Sequence, residues 1–309
     1  MAEPPGNGTV LVSALSCPSA SFCVAVGGST GAAAGRYTPF AERWNGAGWS
    51  VEAVPGPARP ALSSRLTSVS CTSPIACTAV GESVSRNPRR PPTPLVERWN
   101  GTTWSLEHAS GGPLFSVSCS TRRTCTAVSD VAGRRFAEGW DGSTWSPQPN
   151  PHPRAFPAPN GDDELGSVSC ASRSACMAVG YSTWGTGFNV VRITLAEYWN
   201  GTSWSVRRTP NPIQLDDLKG VSCYSAHSCV AVGDYTDRGG DATVSLVERW
   251  HGGRWSVLPT PRRLSAGKRS DSALQAVTCF AKGGCIAVGD AQGGPFAAEF
   301  SSQVNGSAK

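Results

Sequence analysis

Twelve cysteines stand in six pairs with five residues between partners: Cys17 and Cys23, Cys71 and Cys77, Cys119 and Cys125, Cys170 and Cys176, Cys223 and Cys229, Cys279 and Cys285. A thiol pair can ligate a metal, shuttle electrons or close a disulfide. The gap is wider than the ~2–4 residues usual between zinc ligands, and only four histidines are present to complete such sites. Redox catalysis uses one activated pair, which six equivalent copies do not suit. The pairs are read as structural disulfides that hold no metal, and an oxidising, extracellular setting follows from them.

Each pair sits inside a recurring string, for example VSCTSPIACTAVG (69–81), with copies beginning at residues 15, 69, 117, 168, 221 and 277. A second string follows the first five copies: AERWNGAGWSV (41–51), VERWNGTTWSL (96–106), AEGWDGSTWSP (137–147), AEYWNGTSWSV (196–206) and VERWHGGRWSV (247–257). After the sixth copy it decays to AAEFSSQ (297–303), with Ser301 two residues after Glu299 where Trp is expected. A repeat period of about 50 residues marks modules that cannot bury their apolar faces alone.

The elements follow from pleat and turn chemistry. Val69 and Cys71 alternate with Ser68 and Ser70, and Cys77 and Ala79 alternate with Thr78 and Val80. Two antiparallel strands with Cys71 opposite Cys77 put Val69 opposite Ala79 and bring the sulfurs within bonding range. In the second string Asn100-Gly101 is read as a two-residue hairpin tip, which pairs Trp99 with Thr102 and Glu97 with Trp104. Each unit is then four antiparallel strands, a to d. Six such units form a six-bladed all-β propeller, each blade closed by its own Cys-x5-Cys bridge, because radial closure removes exposed sheet edges. One domain spans residues 1–309, with units near 12–65, 66–113, 114–164, 165–217, 218–273 and 274–309. Residues 1–11 are candidates to help close the last blade, and 7–13, NGTVLVS, could supply its missing strand.

The repeats resemble the propeller superfamilies of kelch and Asp-box type, and the chain is similar to exported repeat proteins of actinomycete-like composition. The strings DGSTW (141–145) and NGTTW (100–104) carry the Asp-box likeness, with one residue fewer before the Trp. The resemblance implies a fold and carries no catalytic residue.

Composition narrows the function classes. The 309 residues include 35 Gly and 24 Pro, only 16% are charged, and the net charge is +5. Such a chain suits short strands and turns rather than helices. It shows no Lys/Arg stripe with base-stacking aromatics, so no nucleic-acid partner is expected. No apolar run is long enough to span a bilayer. Residues 10–17, VLVSALSC, follow no Lys or Arg and are read as the first repeat, not as a secretory leader; the leader of an exported protein is expected to have been removed. No Ser/His/Asp order, nucleophile elbow or cofactor motif is present, so no catalytic residue and no cofactor is assigned.

Strand order places turns a–b and c–d at one end of each blade and connections b–c and d–a at the other. The first set is constant in length and the second varies, which marks the variable end for recognition. There the 181–192 segment supplies Tyr181, Trp184, Phe188 and Arg192 as candidate ligand contacts; Trp184 lies outside the repeat positions. Asp234, Asp237 and Asp241 form a weak Ca²⁺ candidate beside a solvated-loop reading. Glu42, Glu97, Glu138, Glu197, Glu248 and Glu299 recur as a structural carboxylate between blades, and the alternative is a lectin site of Glu, Trp and Arg resembling those of fucose-type lectins. The expectation is a monomeric, non-catalytic, extracellular binding module for a protein or carbohydrate ligand. A glycan-binding lectin is second, and a glycoside hydrolase or lyase third.

Overall fold

Alternating apolar and small residues, broken by turns, fold as short antiparallel strands. The computed structural model describes residues 9–30, 36–59, 61–131, 134–149, 162–185, 190–210, 216–237, 242–260, 271–280, 283–292 and 294–301. The fold is an all-β six-bladed propeller, with four antiparallel strands in each of five blades and three in the last among the described residues. The chain divides into two compact units, residues 1–131 with 135–148, and residues 132–134 with 149–309.

The first unit holds three blades. They are β1 (Val10–Ser19), β2 (Phe22–Thr30), β3 (Tyr37–Trp44) and β4 (Trp49–Glu52); β5 (Ala61–Ser73), β6 (Ala76–Ser85), β7 (Thr93–Trp99) and β8 (Trp104–Glu107); and β9 (Ser116–Thr121), β10 (Thr124–Val131), β11 (Arg134–Trp140) and β12 (Trp145–Pro147). The second unit begins with β13 (Asp163–Ser172), β14 (Ala175–Trp184), β15 (Val191–Trp199) and β16 (Trp204–Val206). It continues with β17 (Asp216–Ser225), β18 (Ser228–Thr236), β19 (Thr243–His251) and β20 (Arg254–Val257), then β21 (Ser272–Cys279), β22 (Gly284–Ala291) and β23 (Gly294–Ser301).

Within a blade the register follows the pleat. Cys71 lies opposite Cys77 and Val69 opposite Ala79. All six expected disulfides close within their blades, with Cα atoms 3.9–4.1 Å apart. Each bridge closes a short loop, which contributes only about 2 kcal/mol by chain entropy. Strand a carries a bulge beside the glycine of Ala-Val-Gly. A Cβ on Gly180 would come within 2.0 Å of the Glu164 carbonyl oxygen, and one on Gly81 within 2.0 Å of the Arg65 oxygen. The third blade has Ser129 in this place, fully buried and donating to the Pro113 carbonyl.

The second hairpin differs from its expected form. Trp99 pairs with Trp104 and Glu97 with Leu106, so the loop has four residues, not two. Asn100 Oδ1 accepts the N–H groups of Thr102 and Thr103 at 2.9 and 3.0 Å, and Gly101 takes φ +106°. The side chain thus replaces the backbone bond of a tight turn. Asp141 and Asn200 cap the same loop in other blades.

Two observations concern the chain ends. Val10, Leu11 and Val12 pair with Ser29, Gly28 and Gly27 and form strand a of the first blade; residues 1–8, named as candidates to help close the last blade, lie outside the described residues. In β23, Phe300 lies opposite Cys285 and Phe296 opposite Gly289, the places of Trp44 and Phe40 in the first blade. The aromatics fix this register, so Ala298 stands where the other blades have Glu, and Glu299 falls in the place of Arg43.

Neighbouring blades within each unit pack face to face. Val24, Val26 and Ala41 lie against Val69, Cys77, Ala79, Trp99 and Trp104. Val80 and Val96 lie against Val117, Cys125, Ala127, Trp140 and Trp145. In the second unit Met177, Val179 and Ala196 pack on Val221, Cys229, Ala231 and Trp250, and Val230, Val232 and Val247 on Leu274, Cys285 and Ala287. Each buried aliphatic contributes about 1.5–3 kcal/mol, so a blade interface outweighs a bridge. Hydrogen bonds align the faces: the Cys71, Cys119, Cys223 and Cys279 amides donate to the Oγ atoms of Ser16, Ser70, Ser169 and Ser222 in the preceding blade, at 2.9–3.0 Å.

The bulge yields a direct test. Gly180→Ala is expected to lower unfolding free energy by about 2–3 kcal/mol through overpacking. Gly166→Ala, whose Cβ would meet only the Glu164 side chain at 3.8 Å, changes it by less than about 0.5 kcal/mol. Urea denaturation of both variants measures the difference.

Candidate functional site

The recurring glutamates lie inside the protein. Glu42, Glu97, Glu138, Glu197 and Glu248 have no exposed surface. Glu97 Oε1 accepts the Gly56 N–H at 2.9 Å, and Gly56 follows strand d of the preceding blade. Glu138 Oε1 accepts the N–H groups of Ser110 and Gly111, both at 3.1 Å, and the Ser110 hydroxyl at 2.7 Å. These carboxylates anchor the d–a connection of one blade to the next sheet. Burial pushes the Glu97 carboxyl up to about 7, against the pull of the Gly56 N–H. Burial pushes Glu248 up to about 8, with Asp216 adding like-charge repulsion.

Tryptophan and arginine complete these interfaces. Trp99 and Trp104 pack in a tilted pair with ring centroids 5.7 Å apart, and Trp99 Nε1 donates to the Pro74 carbonyl at 3.0 Å. Arg98 points to the opposite sheet face from Glu97, as adjacent strand residues must. Its guanidinium lies 4.4 Å over Trp140 of the following blade and donates to the Arg122 carbonyl. Tyr198 stacks on Trp250 in the same way. Glu, Arg and Trp therefore meet across blade interfaces, and Glu138, Trp140 and Trp145 are buried there.

The variable end of the second unit is different. β13 and β14 set Glu164 opposite Tyr181, and the Tyr181 hydroxyl donates to Glu164 Oε2 at 2.9 Å. β15 carries Arg192, whose guanidinium lies 4.1 Å above the Tyr181 ring. The next blade sets Asp217 opposite Asp234. Arg192 Nη1 is 4.0 Å from Asp217 Oδ2, and Lys219 pairs closely with Asp234. Three carboxylates, two cations and a phenol thus share one surface. Arg192 is 40% exposed and its contact with Asp217 is long, which leaves its forked donors open to a ligand.

Electrostatics tune this cluster. Burial pushes the Asp217 carboxyl up to about 6; Lys219 and Arg192 oppose that rise, and Asp234 and Glu164 add to it. Burial and the bond to Glu164 push the Tyr181 phenol up to about 12. The phenol therefore stays a donor across the physiological range. The cluster can donate through Arg192 and Lys219 and accept through its carboxylates, which suits a ligand rich in hydroxyl or amide groups.

Of the residues singled out in sequence, Tyr181 and Arg192 come together. Trp184 ends β14 opposite Val191, but its side chain lies outside the described residues, as does Phe188. Asp234 is engaged by Lys219, and Asp237 Oδ1 accepts the Ala242 N–H at 3.3 Å. Asp241 lies outside the described residues, and no cluster of metal-ligating side chains occurs among those described. Sequence reading missed Glu164, Asp217 and Lys219. Their signal is the residue after the Ala-Val-Gly or Ala-Val-Ser string, which is acidic as Glu82, Asp130, Asp234 and Asp290 and aromatic as Tyr181.

No family profile matches the chain, and a search of curated proteins finds no match. Solved structures do share its fold. An alpha-L-arabinofuranosidase of Fusarium graminearum, in complex with arabinobiose, is 10% identical with a TM-score of 0.57 over 96% of this chain and 95% of that one. An alpha-L-arabinanase of Penicillium chrysogenum, also with arabinobiose, is 10% identical with a TM-score of 0.55 over 97% and 96%. A Lactobacillus plantarum protein is 10% identical with a TM-score of 0.50 over 90% and 77%.

The buried carboxyls predict a pH dependence. A carboxyl raised in the folded state contributes stability below its unfolded value of 4.5, and that contribution falls as pH climbs through its folded value of about 8 for Glu248. Glu248→Gln is therefore expected to melt above the native protein at pH 8.5 and close to it at pH 4.5. Thermal melts across this range check the sign; a variant that melts lower at pH 8.5 contradicts it.

Proposed function

We propose that the chain is an exported, non-catalytic binding module that presents its ligand site on the variable b–c and d–a end of its blades. In the second unit the site centres on Tyr181 and Arg192. The observation that carries this reading is the half-exposed Arg192 guanidinium over Tyr181, held 4.0 Å from Asp217 and not locked into a short ion pair. The opposite end of each blade supports it by contrast, since its turns are spent on side-chain caps such as Asn100 and Asp141. Six disulfides suit an oxidising compartment, and no helix is long and apolar enough to cross a membrane among the described residues.

A saccharide ligand is the second reading. The mixed donors and acceptors around Tyr181 favour it, and two proteins of the same fold hold arabinobiose. Peptide and glycan arrays on the native protein, followed by titration of any hit, separate the two. Arg192→Ala is expected to weaken the hit at least about tenfold, the size of one lost charge-assisted contact. Thr102→Ala, in a capped turn at the other end, is expected to leave it unchanged. A ligand lost with Thr102→Ala and kept with Arg192→Ala would place recognition at the wrong end.

A further inference from the structure

The first unit carries a cleft that the reading above does not use. Its volume is about 730 Å³, a size typical of small-ligand sites. Arg36, Tyr37, Pro55, Pro57, Arg59 and Arg86 line it, from the connections before β3, after β4 and after β6. Among the described residues, no Asp or Glu lines it. Elsewhere in this unit Arg43 pairs with Glu52 and Arg65 with Glu82. Among the described residues, no carboxylate pairs with Arg36, Arg59 or Arg86, and all three are exposed.

The walls are fixed from behind. The Gly56 N–H is held by buried Glu97 at 2.9 Å, and the Tyr37 N–H donates to Ser63 Oγ at 3.0 Å. Arg86 Nε reaches the Ala61 carbonyl at 3.5 Å, which leaves its two terminal amino groups for a ligand. Three guanidinium groups around one cleft repel each other, and an anionic ligand relieves that repulsion. Guanidinium forks match the two oxygens of a carboxylate or sulfate. Tyr37 and the prolines offer flat apolar surfaces for the C–H face of a sugar ring.

We propose that this cleft binds an acidic oligosaccharide, with its carboxylate or sulfate groups on Arg36, Arg59 and Arg86 and a sugar ring against Tyr37. Calorimetric titration of the full chain tests it with oligogalacturonate, dextran sulfate oligosaccharide, neutral dextran oligosaccharide and a poly-glutamate peptide. The native protein is expected to bind at least one acidic saccharide at least about tenfold more tightly than neutral dextran, less so as salt rises. The triple variant Arg36→Ala, Arg59→Ala, Arg86→Ala is expected to lose about tenfold or more. A control with the same charge loss, Arg122→Ala, Arg123→Ala, Arg254→Ala, changes binding less than about twofold, because those residues sit at the constant end, in an a–b turn and at the start of β20 beside a c–d turn. Single Arg→Gln variants at the three cleft positions, which perturb folding less, are each expected to weaken binding about threefold or more. No acidic-saccharide binding, or an equal loss in the control, would overturn the site. Poly-glutamate bound as tightly, with the same arginine dependence, would overturn the saccharide assignment.

Discussion

A disulfide between directly opposed strands constrains everything beside it. Cys71 and Cys77 face each other with Cα atoms 4.0 Å apart, the close spacing of a non-hydrogen-bonded antiparallel pair. In such a pair the backbone N–H groups point away from the partner strand. The Cys71 amide is therefore turned to the open edge of strand a, where an unpaired N–H costs free energy. Ser16 of the preceding blade receives it, and Ser70, Ser169 and Ser222 do the same for Cys119, Cys223 and Cys279. Each of these four serines, one residue before the first cysteine of its own blade, thus completes the next module's bridge. Sulfur chemistry within a blade and alignment between blades within each unit are one arrangement.

That arrangement sorts the charged residues into two kinds. Carboxylates below the bulge are buried and tied to backbone amides, as Glu97 and Glu138 are. Charged residues above it reach the surface, as half-exposed Arg192 and the mostly buried Asp217 beside it do. The Leu–Gly pair that recurs at the bulge, as Leu66 opposite Gly81, Leu165 opposite Gly180, Leu218 opposite Gly233 and Leu274 opposite Gly289, separates the two layers. Below it substitution breaks the interface. Above it each blade is free to differ, and the two units have diverged there. One offers arginines with no lining acid among the described residues, and the other offers a mixed set around a phenol.

Much of the fold was legible because pleat alternation and repetition act together. Val69, Cys71, Cys77 and Ala79 each had one arrangement that buried their side chains, and the register follows it. The hairpin tip was misread because Asn100 supplies its acceptor from a side chain, which a two-residue turn rule does not see. Glu299 leaves the expected glutamate position because the spacing of Phe296 and Phe300, not the distance to a tryptophan, sets the strand. The site was legible only in part. Tyr181 and Arg192 lie in one irregular stretch and draw attention. Glu164 and Asp217 sit inside regular strands, and their partners come from other strands or another blade. The residue after the Ala-Val-Gly string marks one partner of each pair, but the other is found only through the strand register.

Native-state amide hydrogen exchange at Cys119 tests the central linkage most directly. In the native protein this amide should be protected nearly as well as the sheet core, although it faces a strand edge. Ser70→Ala removes its acceptor, and the Cys119 amide is expected to exchange at least about tenfold faster, by the worth of one buried hydrogen bond. The Cys223 amide, held by Ser169, should be unaffected and serves as the internal reference. Equal protection of Cys119 with and without the Ser70 hydroxyl would contradict the account.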